Sequence, residues 1–208
     1  AIVNIFLARQ PILDKKQKVL AYEIFYRSGF LNVYTGTDHD EATSKVIIDT
    51  FHNLGLDALT AGKPAFINFS AALLEQEVAT LFPSDQLVVE VLECVRGSEE
   101  VLEKCRQLKA AGYTIALDDF VYNEDSEPFL DVADIVKIDL LVTDKAEIRE
   151  VVKRLERRSV ILLAEKVETY EAFREAADLG FTLFQGYFFS RPEMVTAKAL
   201  APLHITCF

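Results

Sequence analysis

Short apolar segments alternate with amphipathic segments along most of this chain of 208 residues. The apolar segments are rich in β-branched and aromatic residues, which predicts strands at residues 65–69, 87–93, 113–119, 135–140, 160–167 and 182–189. Between them, apolar residues recur at three- and four-residue intervals. This spacing predicts helices at residues 40–54, 70–81, 98–111, 129–132, 145–158 and 169–179, and a terminal helix from residue 193. Alternation of strands and helices favours a parallel sheet covered by helices.

The N-terminal part of the chain has a different pattern. Residues 5–13 and 19–26 are both apolar, and the short polar segment between them predicts a β-hairpin. A hairpin followed by about six strand–helix units predicts an α/β fold, a closed barrel of the (β/α)₈-like (TIM-type) form. We expect this barrel to be a single domain over residues 1–208. A doubly wound open sheet is the alternative, but no glycine-rich phosphate loop follows the first strand.

Polar side chains stand at the ends of the predicted strands. They are Asn68, Glu90, Asp118, Asp119, Lys137, Asp139, Glu165 and Gln185. Barrels of this form carry their chemistry at the C-terminal ends of the strands. Asp118 and Asp119 alone would fit a turn or a helix cap, because aspartate is favoured at both. The whole set, however, exceeds what turns on one rim require.

Oxygen ligands dominate this set, whereas His39, His52 and His204 lie outside the strand ends. Carboxylates on one rim repel one another unless cations neutralise them, and Mg²⁺ and Mn²⁺ prefer oxygen ligands. Two such ions roughly 3.5–4 Å apart can activate a water and stabilise the charge that develops on a phosphodiester. With Lys137 as the lone cation of the set, the rim favours phosphoryl chemistry.

Composition and charge argue against several other classes of protein. The net charge of −11 is unfavourable for binding a nucleic acid polymer through bare electrostatics. No apolar run reaches the roughly 18 residues of a membrane helix, and residues 1–3 do not resemble a secretory signal. Cys94, Cys105 and Cys207 have no ligand-like spacing, so we expect free thiols in a reducing cytoplasm.

Seven short motifs occur in a fixed order along the chain. They are YEIFYR at residues 22–27, INFS at 67–70, EVLE at 90–93, DDF at 118–120, KID at 137–139, AEKVE at 164–168 and QGYFFSRP at 185–192. Through them the chain resembles, over nearly its whole length, the EAL domain, a (β/α)₈-like phosphodiesterase of bacterial cyclic di-GMP signalling. The resemblance implies hydrolysis of one phosphodiester bond of cyclic di-GMP to give linear pGpG.

The resemblance also implies a role for each matching residue. Glu23, Asn68, Glu90 and Asp118 would ligate a first Mg²⁺ or Mn²⁺ ion, and Asp119, with Asp118, would serve a second. Lys137 would hold or help to deprotonate the attacking water, and Glu165 and Gln185 would complete the site. Arg27 would contact a substrate phosphate, and Glu93 would anchor the loop that follows Asp119.

Residues 6–12 (FLARQPI) together with the Glu23 motif are similar to one branch of the family. In that branch an EAL domain precedes an HDOD domain, which implies that this chain is a piece of a longer protein. The resemblance also implies that the protein can form a homodimer.

Three departures from the family pattern open a second hypothesis. The loop at residues 121–128 is acidic and lacks glycine, where the family usually has a glycine-rich loop with a serine. Ile24 and Phe25 replace the alanine and leucine of the name-giving motif, and Lys166 replaces the usual glycine. Altered support around metal ligands commonly lowers affinity or activity. The second hypothesis is therefore a degenerate module that binds cyclic di-GMP or a protein partner without catalysis.

A third hypothesis belongs to a different class of enzyme. A Schiff-base aldolase barrel would use Lys137 as its nucleophile, which requires a depressed lysine pKa. The surrounding acids favour metal binding over this reading.

Overall fold

The computed structural model describes residues 4–28, 51 and 55–198, and the side chains of residues 4–6, 26–28 and 196–198 are outside the described part. The predicted helix over residues 40–54 lies outside the described residues except for Phe51, which is helical and fully buried. The three histidines and Cys207 also lie outside them.

Nine strands of the described part form one sheet. They are β1 (Asn4–Asp14), β2 (Val19–Ser28), β3 (Ala65–Phe69), β4 (Leu87–Val91), β5 (Thr114–Leu117), β6 (Ile135–Asp139), β7 (Ile161–Glu165), β8 (Leu183–Phe184) and β9 (Glu193–Lys198). The strand order is β2-β3-β4-β5-β6-β7-β8-β1-β9, and β1 also pairs with β2. The first eight strands therefore close into a barrel, which confirms the predicted fold and its N-terminal hairpin.

Strand β1 is the exception to the parallel arrangement. It is antiparallel to both β2 and β8, whereas β2 to β8 are parallel neighbours. The tight turn between β1 and β2 is held by Asp14, whose Oδ1 accepts hydrogen bonds from the backbone N–H groups of Lys16 at 2.8 Å and Lys18 at 2.9 Å. This local chemistry explains why the hairpin could be predicted from the sequence.

Five α-helices lie between the strands of the described part. They are α1 (Leu56–Thr60), α2 (Ala71–Glu75), α3 (Glu99–Ala110), α4 (Lys145–Leu155) and α5 (Tyr170–Leu179). The N-cap side chains of the last four accept a hydrogen bond from the first turn, and they are Ser70, Ser98, Asp144 and Thr169. Two 3-10 helices span Val78–Leu81 and Glu127–Asp131. None of the helices in the described ranges has the length and apolar character to cross a membrane.

A layer of apolar side chains closes the barrel interior. It consists of Ile12, Ala21, Phe66, Val88, Ala116, Ile135 and Leu163. Side chains alternate across a strand, so the residue two positions further along points inward again. Those next positions, on the strands from β2 to β7 or directly after β5 in the case of Asp118, hold Glu23, Asn68, Glu90, Asp118, Lys137 and Glu165. The apolar layer is therefore the floor on which a layer of polar side chains rests, and we call these six residues the polar layer.

Three sequence-based predictions need correction. Residues 193–198 form β9 and not a helix, because they pair antiparallel with residues 4–9 of β1. The ion pair between Arg9 and Glu193, with 3.2 Å between Nη2 and Oε2, joins the same two strands. A backbone edge that needs hydrogen-bond partners outweighs the helical pattern of this segment.

The other two corrections concern broken elements. The predicted helix over residues 70–81 is divided into α2 and a 3-10 helix by Glu77, which has a left-handed φ of 57°. The predicted strand over residues 182–189 is paired only at Leu183–Phe184, because the chain turns at Gln185 and Gly186. In that turn the backbone N–H groups of Ser190 and Phe189 donate to the carbonyl oxygen of Gly186, both at 3.1 Å.

Gly186 provides a test of this turn. An alanine Cβ at this position would lie 2.2 Å from the carbonyl oxygen of Val167 and 2.3 Å from its nitrogen, and both atoms belong to fixed backbone. We expect Gly186→Ala to cost about 3 kcal/mol of the free energy of unfolding. Thermal unfolding should then show a melting temperature lower by roughly 6–12 °C.

Gly62→Ala is the matched control. Gly62 also has a positive φ, 74°, but its Cβ would meet nothing within 4 Å. Its cost should be limited to the left-handed backbone, about 1 kcal/mol. Equal losses in the two variants would contradict the close approach at Gly186.

Candidate metal-dependent active site

Four of the six side chains of the polar layer are buried, and they are Glu23, Glu90, Lys137 and Glu165. Glu90 and Lys137 are 0% exposed and Glu23 is 4% exposed. Asp118 and Asn68 are half-buried at the same end of the barrel. Buried charges are expensive unless they are paired or bind a metal, so the balance of charge in this layer decides what the site can do.

The ammonium group of Lys137 lies between four carboxylates. Its Nζ is 2.5 Å from Glu90 Oε1, 2.6 Å from Asp118 Oδ1, 3.0 Å from Glu165 Oε1 and 3.5 Å from Glu23 Oε2. The four acids come from four different strands or strand ends, so the closure of the barrel brings them together. One cation leaves this group with an excess of negative charge when the acids are ionised.

Gln185 and Gln10 hold Glu23 from the other side. Gln185 donates through Nε2 to Glu23 Oε2 at 2.7 Å and to Gln10 Oε1 at 3.2 Å. Gln10 in turn donates to the carbonyl oxygen of Ser190 at 3.0 Å. Gln185 is thus a neighbour of the predicted metal ligand Glu23, and its contact with substrate stays a prediction.

Gln10 is a member of this site that was not predicted from the sequence. It is 7% exposed and lies on β1 two positions before Ile12 of the apolar layer. Because β1 runs antiparallel to its neighbours, the polar residue precedes the apolar one here and follows it elsewhere. The alternation pattern contained the signal, but reading it required the direction of β1.

Burial raises the pKa values of three glutamates in the polar layer, Glu23, Glu90 and Glu165. It raises the pKa of Glu165 to about 8, although the Lys137 ammonium opposes this rise. Burial also raises the pKa values of Glu23 and Glu90. At Glu90, repulsion from the neighbouring Glu23 carboxylate raises the pKa further. Without a further cation, the fold therefore favours the protonated forms of these glutamates.

Lys137 has the opposite balance. Burial alone would lower its pKa, but the carboxylates of Glu165, Glu23, Glu90 and Asp118 raise it well above the ordinary value. A Schiff-base nucleophile must be a neutral amine near neutral pH. The structure therefore disfavours the aldolase hypothesis for Lys137.

Several buried oxygens of the site have no hydrogen-bond donor among the described residues. They are Asn68 Oδ1, both carboxylate oxygens of Glu90, Glu165 Oε2 and Gln185 Oε1. Glu90 Oε1 is within ion-pair distance of Lys137 Nζ but lacks hydrogen-bond geometry. Buried acceptors are nearly always satisfied, and oxygen-rich sites of this kind suit a hard divalent cation. The donor set therefore fits Mg²⁺ or Mn²⁺.

A second acidic group adjoins the polar layer. Carboxylate oxygens of Glu93, Asp118 and Asp119 lie within 4.8 Å of one another. Asp119 adopts a left-handed φ of 40°, which lets consecutive aspartates share this region. Burial raises the pKa of Asp119, and the neighbouring Asp118 adds to that rise.

The loop after Asp119 is held mainly by its own polar groups. Asn123 Oδ1 accepts from the backbone N–H groups of Asp125 at 2.9 Å and Ser126 at 2.8 Å. The Ser126 hydroxyl donates to the carbonyl oxygen of Val121 at 2.7 Å. The carboxylate of Glu93 lies beside Asp118 and Asp119, and its predicted role as an anchor of this loop stays a prediction.

Asp139 and Arg27 are the remaining residues that the sequence predicted for this site. Asp139 is 3% exposed, and its Oδ1 accepts from the backbone N–H groups of Leu141 at 2.7 Å and Val142 at 3.3 Å. Its other oxygen binds the Lys166 ammonium. Arg27 lies on β2, but its side chain is outside the described part, so its contact with a phosphate stays a prediction.

The raised pKa values predict how stability depends on pH. Glu165 has an ordinary pKa of 4.5 and a pKa of about 8 in the fold, so the folded state binds more protons between these values. Its contribution to stability is complete below the lower value and is lost as pH rises through the higher one. We expect the melting temperature of metal-free protein to fall between about pH 5 and about pH 9.

Glu165→Gln should reduce this fall, because it removes one of the titrating groups. Added Mn²⁺ should raise the melting temperature most at the alkaline end, where the acids are ionised. A melting temperature that stays constant or rises across this interval in metal-free protein would contradict the assignment.

Comparison with known proteins gives the family. The EAL domain model matches residues 40–192. The uncharacterized protein YuxH of Bacillus subtilis is 41% identical over 204 residues, covering 96% of this chain and 50% of YuxH. The cyclic di-GMP phosphodiesterase CdgJ of Vibrio cholerae is 39% identical over 203 residues, covering 96% of this chain and 47% of CdgJ. The chain spans about half the length of these relatives.

Solved structures share the barrel. The phosphodiesterase PaMucR in complex with cyclic di-GMP has a TM-score of 0.74 and 22% identity, covering 91% of this chain and 96% of that one. The manganese and cyclic di-GMP complex of Klebsiella pneumoniae BlrP1 has a TM-score of 0.71 and 24% identity, covering 91% of this chain and 56% of that one. Through the matched model and its relatives, the chain belongs to the EAL domain family.

Proposed function

We propose that this EAL domain hydrolyses one phosphodiester bond of cyclic di-GMP to give linear pGpG, with Mg²⁺ or Mn²⁺ as its cofactor. The observation that carries the proposal is the set of buried oxygens in this site that have no donor within the described part of the chain. The name of the relative CdgJ, a cyclic di-GMP phosphodiesterase, supports the choice of substrate.

In this proposal the first metal is held by Glu23, Asn68, Glu90 and Asp118. The second is held by Asp118 and Asp119, with Glu93 close by. The ions would supply Lewis-acid stabilisation of the charge that develops on the phosphodiester. The number and type of the donors support this assignment, because carboxylate and amide oxygens are the usual ligands of Mg²⁺ and Mn²⁺.

The chain's own groups would position the reactants and move the proton. The Lys137 ammonium can donate to a water or a phosphate oxygen, because its raised pKa keeps it charged. Glu165 is suited to accept the proton of the attacking water at Oε2, because this buried oxygen has no hydrogen-bond donor among the described residues. Gln185 would keep Glu23 oriented through its hydrogen bond, and Arg27 would contact the phosphate.

The competing function is binding without catalysis. The altered loop at residues 121–128 and Lys166 support it, because the loop directly follows Asp119 and Lys166 binds Asp139 at the same end of the barrel. Under this hypothesis the domain binds cyclic di-GMP or a protein partner, and the metal ligands persist without turnover. The internal hydrogen bonds of the loop favour the enzymatic function, because they fix a loop that has no glycine.

We also propose the context in which the domain acts. Its 208 residues would be one domain of a longer protein, with an HDOD domain as the C-terminal part. The coverage of about half of YuxH and CdgJ supports a longer chain. Free Cys94 and Cys105 support a reducing cytoplasm. We further propose that the protein forms a homodimer and that it does not bind nucleic acid polymers.

Turnover by the purified chain tests the function. With Mn²⁺ present, cyclic di-GMP should be converted to pGpG, as measured by separation of the two nucleotides. Asp118→Asn should lower the rate at least about 100-fold, because it removes a shared metal ligand. Chelation of the metal should abolish turnover, and added Mn²⁺ should restore it.

Asp131→Asn is the matched control. Asp131 is an exposed acid that pairs with Arg158 on the surface, so its loss should leave turnover unchanged. Equal rates in the Asp118→Asn variant and the wild type would contradict the proposed site. Nucleotide binding without any product would favour the non-catalytic function.

A further inference from the structure

Lys166 follows the proposed proton acceptor Glu165 directly. It adopts a left-handed φ of 52°, a conformation that glycine adopts at no steric cost and lysine does not. A lysine at this position adds a cation to a turn that glycine could make without steric cost. The Lys166 side chain is 52% exposed, which leaves it at the mouth of the barrel.

The position of the ammonium group is fixed by Asp139. The carboxylate of Asp139 is 3% exposed and binds Lys166 Nζ through Oδ2. Its Oδ1 is held by the backbone N–H groups of Leu141 and Val142. Because Asp139 cannot turn away without losing these bonds, it holds the Lys166 ammonium at the C-terminal end of β6.

Lys166 and Lys137 act on different acids. Lys137 is within 3.5 Å of Glu23, Glu90, Asp118 and Glu165. Asp119 lies on the side of the site that Lys166 occupies: the backbone N–H of the next residue, Phe120, donates to the carbonyl oxygen of Lys137 at 2.9 Å, two residues before the Asp139 that binds Lys166. Each lysine therefore compensates one side of the site.

We propose that Lys166 is a built-in cation on the Asp119 side, which makes this domain bind its second divalent ion much more weakly than its first. The inference rests on the proposed metal-dependent function and deepens it. A divalent ion between Asp118 and Asp119 meets carboxylates that the ammonium already compensates in part, and the two cations repel each other. Lys166 is not a catalytic residue in this proposal. Its ammonium is held by Asp139 and influences the ion by partly compensating the charge of Asp119.

The test is a titration of the purified chain with Mn²⁺ in the absence of nucleotide, followed by electron paramagnetic resonance of the free ion. We expect the wild type to bind one ion tightly and a second weakly. Lys166→Gln and Lys166→Gly should bind the second ion at least about tenfold more tightly, since they remove the charge. Affinity for the first ion should change less.

Three features of the design keep the result interpretable. Lys166→Gly suits the left-handed backbone, so it serves if Lys166→Gln does not fold. Lys166→Arg keeps the charge and should bind Mn²⁺ like the wild type. Lys109→Gln is the matched control, because Lys109 is also a half-exposed lysine paired with an aspartate, Asp134, but at the opposite end of the strands.

Unchanged binding of the second ion in both neutral variants would overturn the inference, and so would the absence of Mn²⁺ binding in every variant. A KM change in Lys166→Gln with unchanged Mn²⁺ binding would instead make Lys166 a substrate contact. Turnover is measured separately on the same samples. Turnover without the predicted Mn²⁺ pattern refutes the inference alone, whereas the pattern without turnover refutes the phosphodiesterase function alone.

Discussion

The balance of charge around the Lys137 ammonium is the constraint on which the rest of the site depends. Four carboxylates from separate strands converge on one buried cation. Buried acids can remain ionised only if cations compensate them, and one ammonium is not enough. Protonation and divalent metal binding are the two ways to relieve the excess, and the raised pKa of Glu165 reflects the first. The same excess is what gives the site its affinity for a metal in the proposed function.

The barrel produces this convergence through simple alternation. One inward position on each strand belongs to the apolar layer, and the next inward position belongs to the polar layer. The apolar layer, from Ile12 to Leu163, excludes water below the acids, which strengthens their interactions. Closure by β1 then supplies Gln10, which is linked to Glu23 through Gln185. The same order of inward-facing apolar and polar positions along the strands therefore produces both the barrel core and the site.

Much of this could be predicted from the sequence because its signals are local. Strand ends with polar residues, helix caps such as Ser98 and the Asp14 turn all depend on a few neighbouring residues. The errors arose where distant segments decide the structure. Residues 193–198 are a strand only because β1 offers them an edge, and the turn at Gly186 follows from its contact with the Val167 backbone. The central position of Lys137 and the tether between Lys166 and Asp139 also require the closed barrel.

The most direct test of the account is where a divalent ion binds. Crystals grown with Mn²⁺ and measured at the manganese absorption edge would locate the ion by its anomalous scattering. The account predicts an anomalous peak bounded by Glu23, Asn68, Glu90 and Asp118, with the Lys137 ammonium moved away from Glu90. A polar layer without an anomalous peak, and with Lys137 still between the four carboxylates, would contradict it.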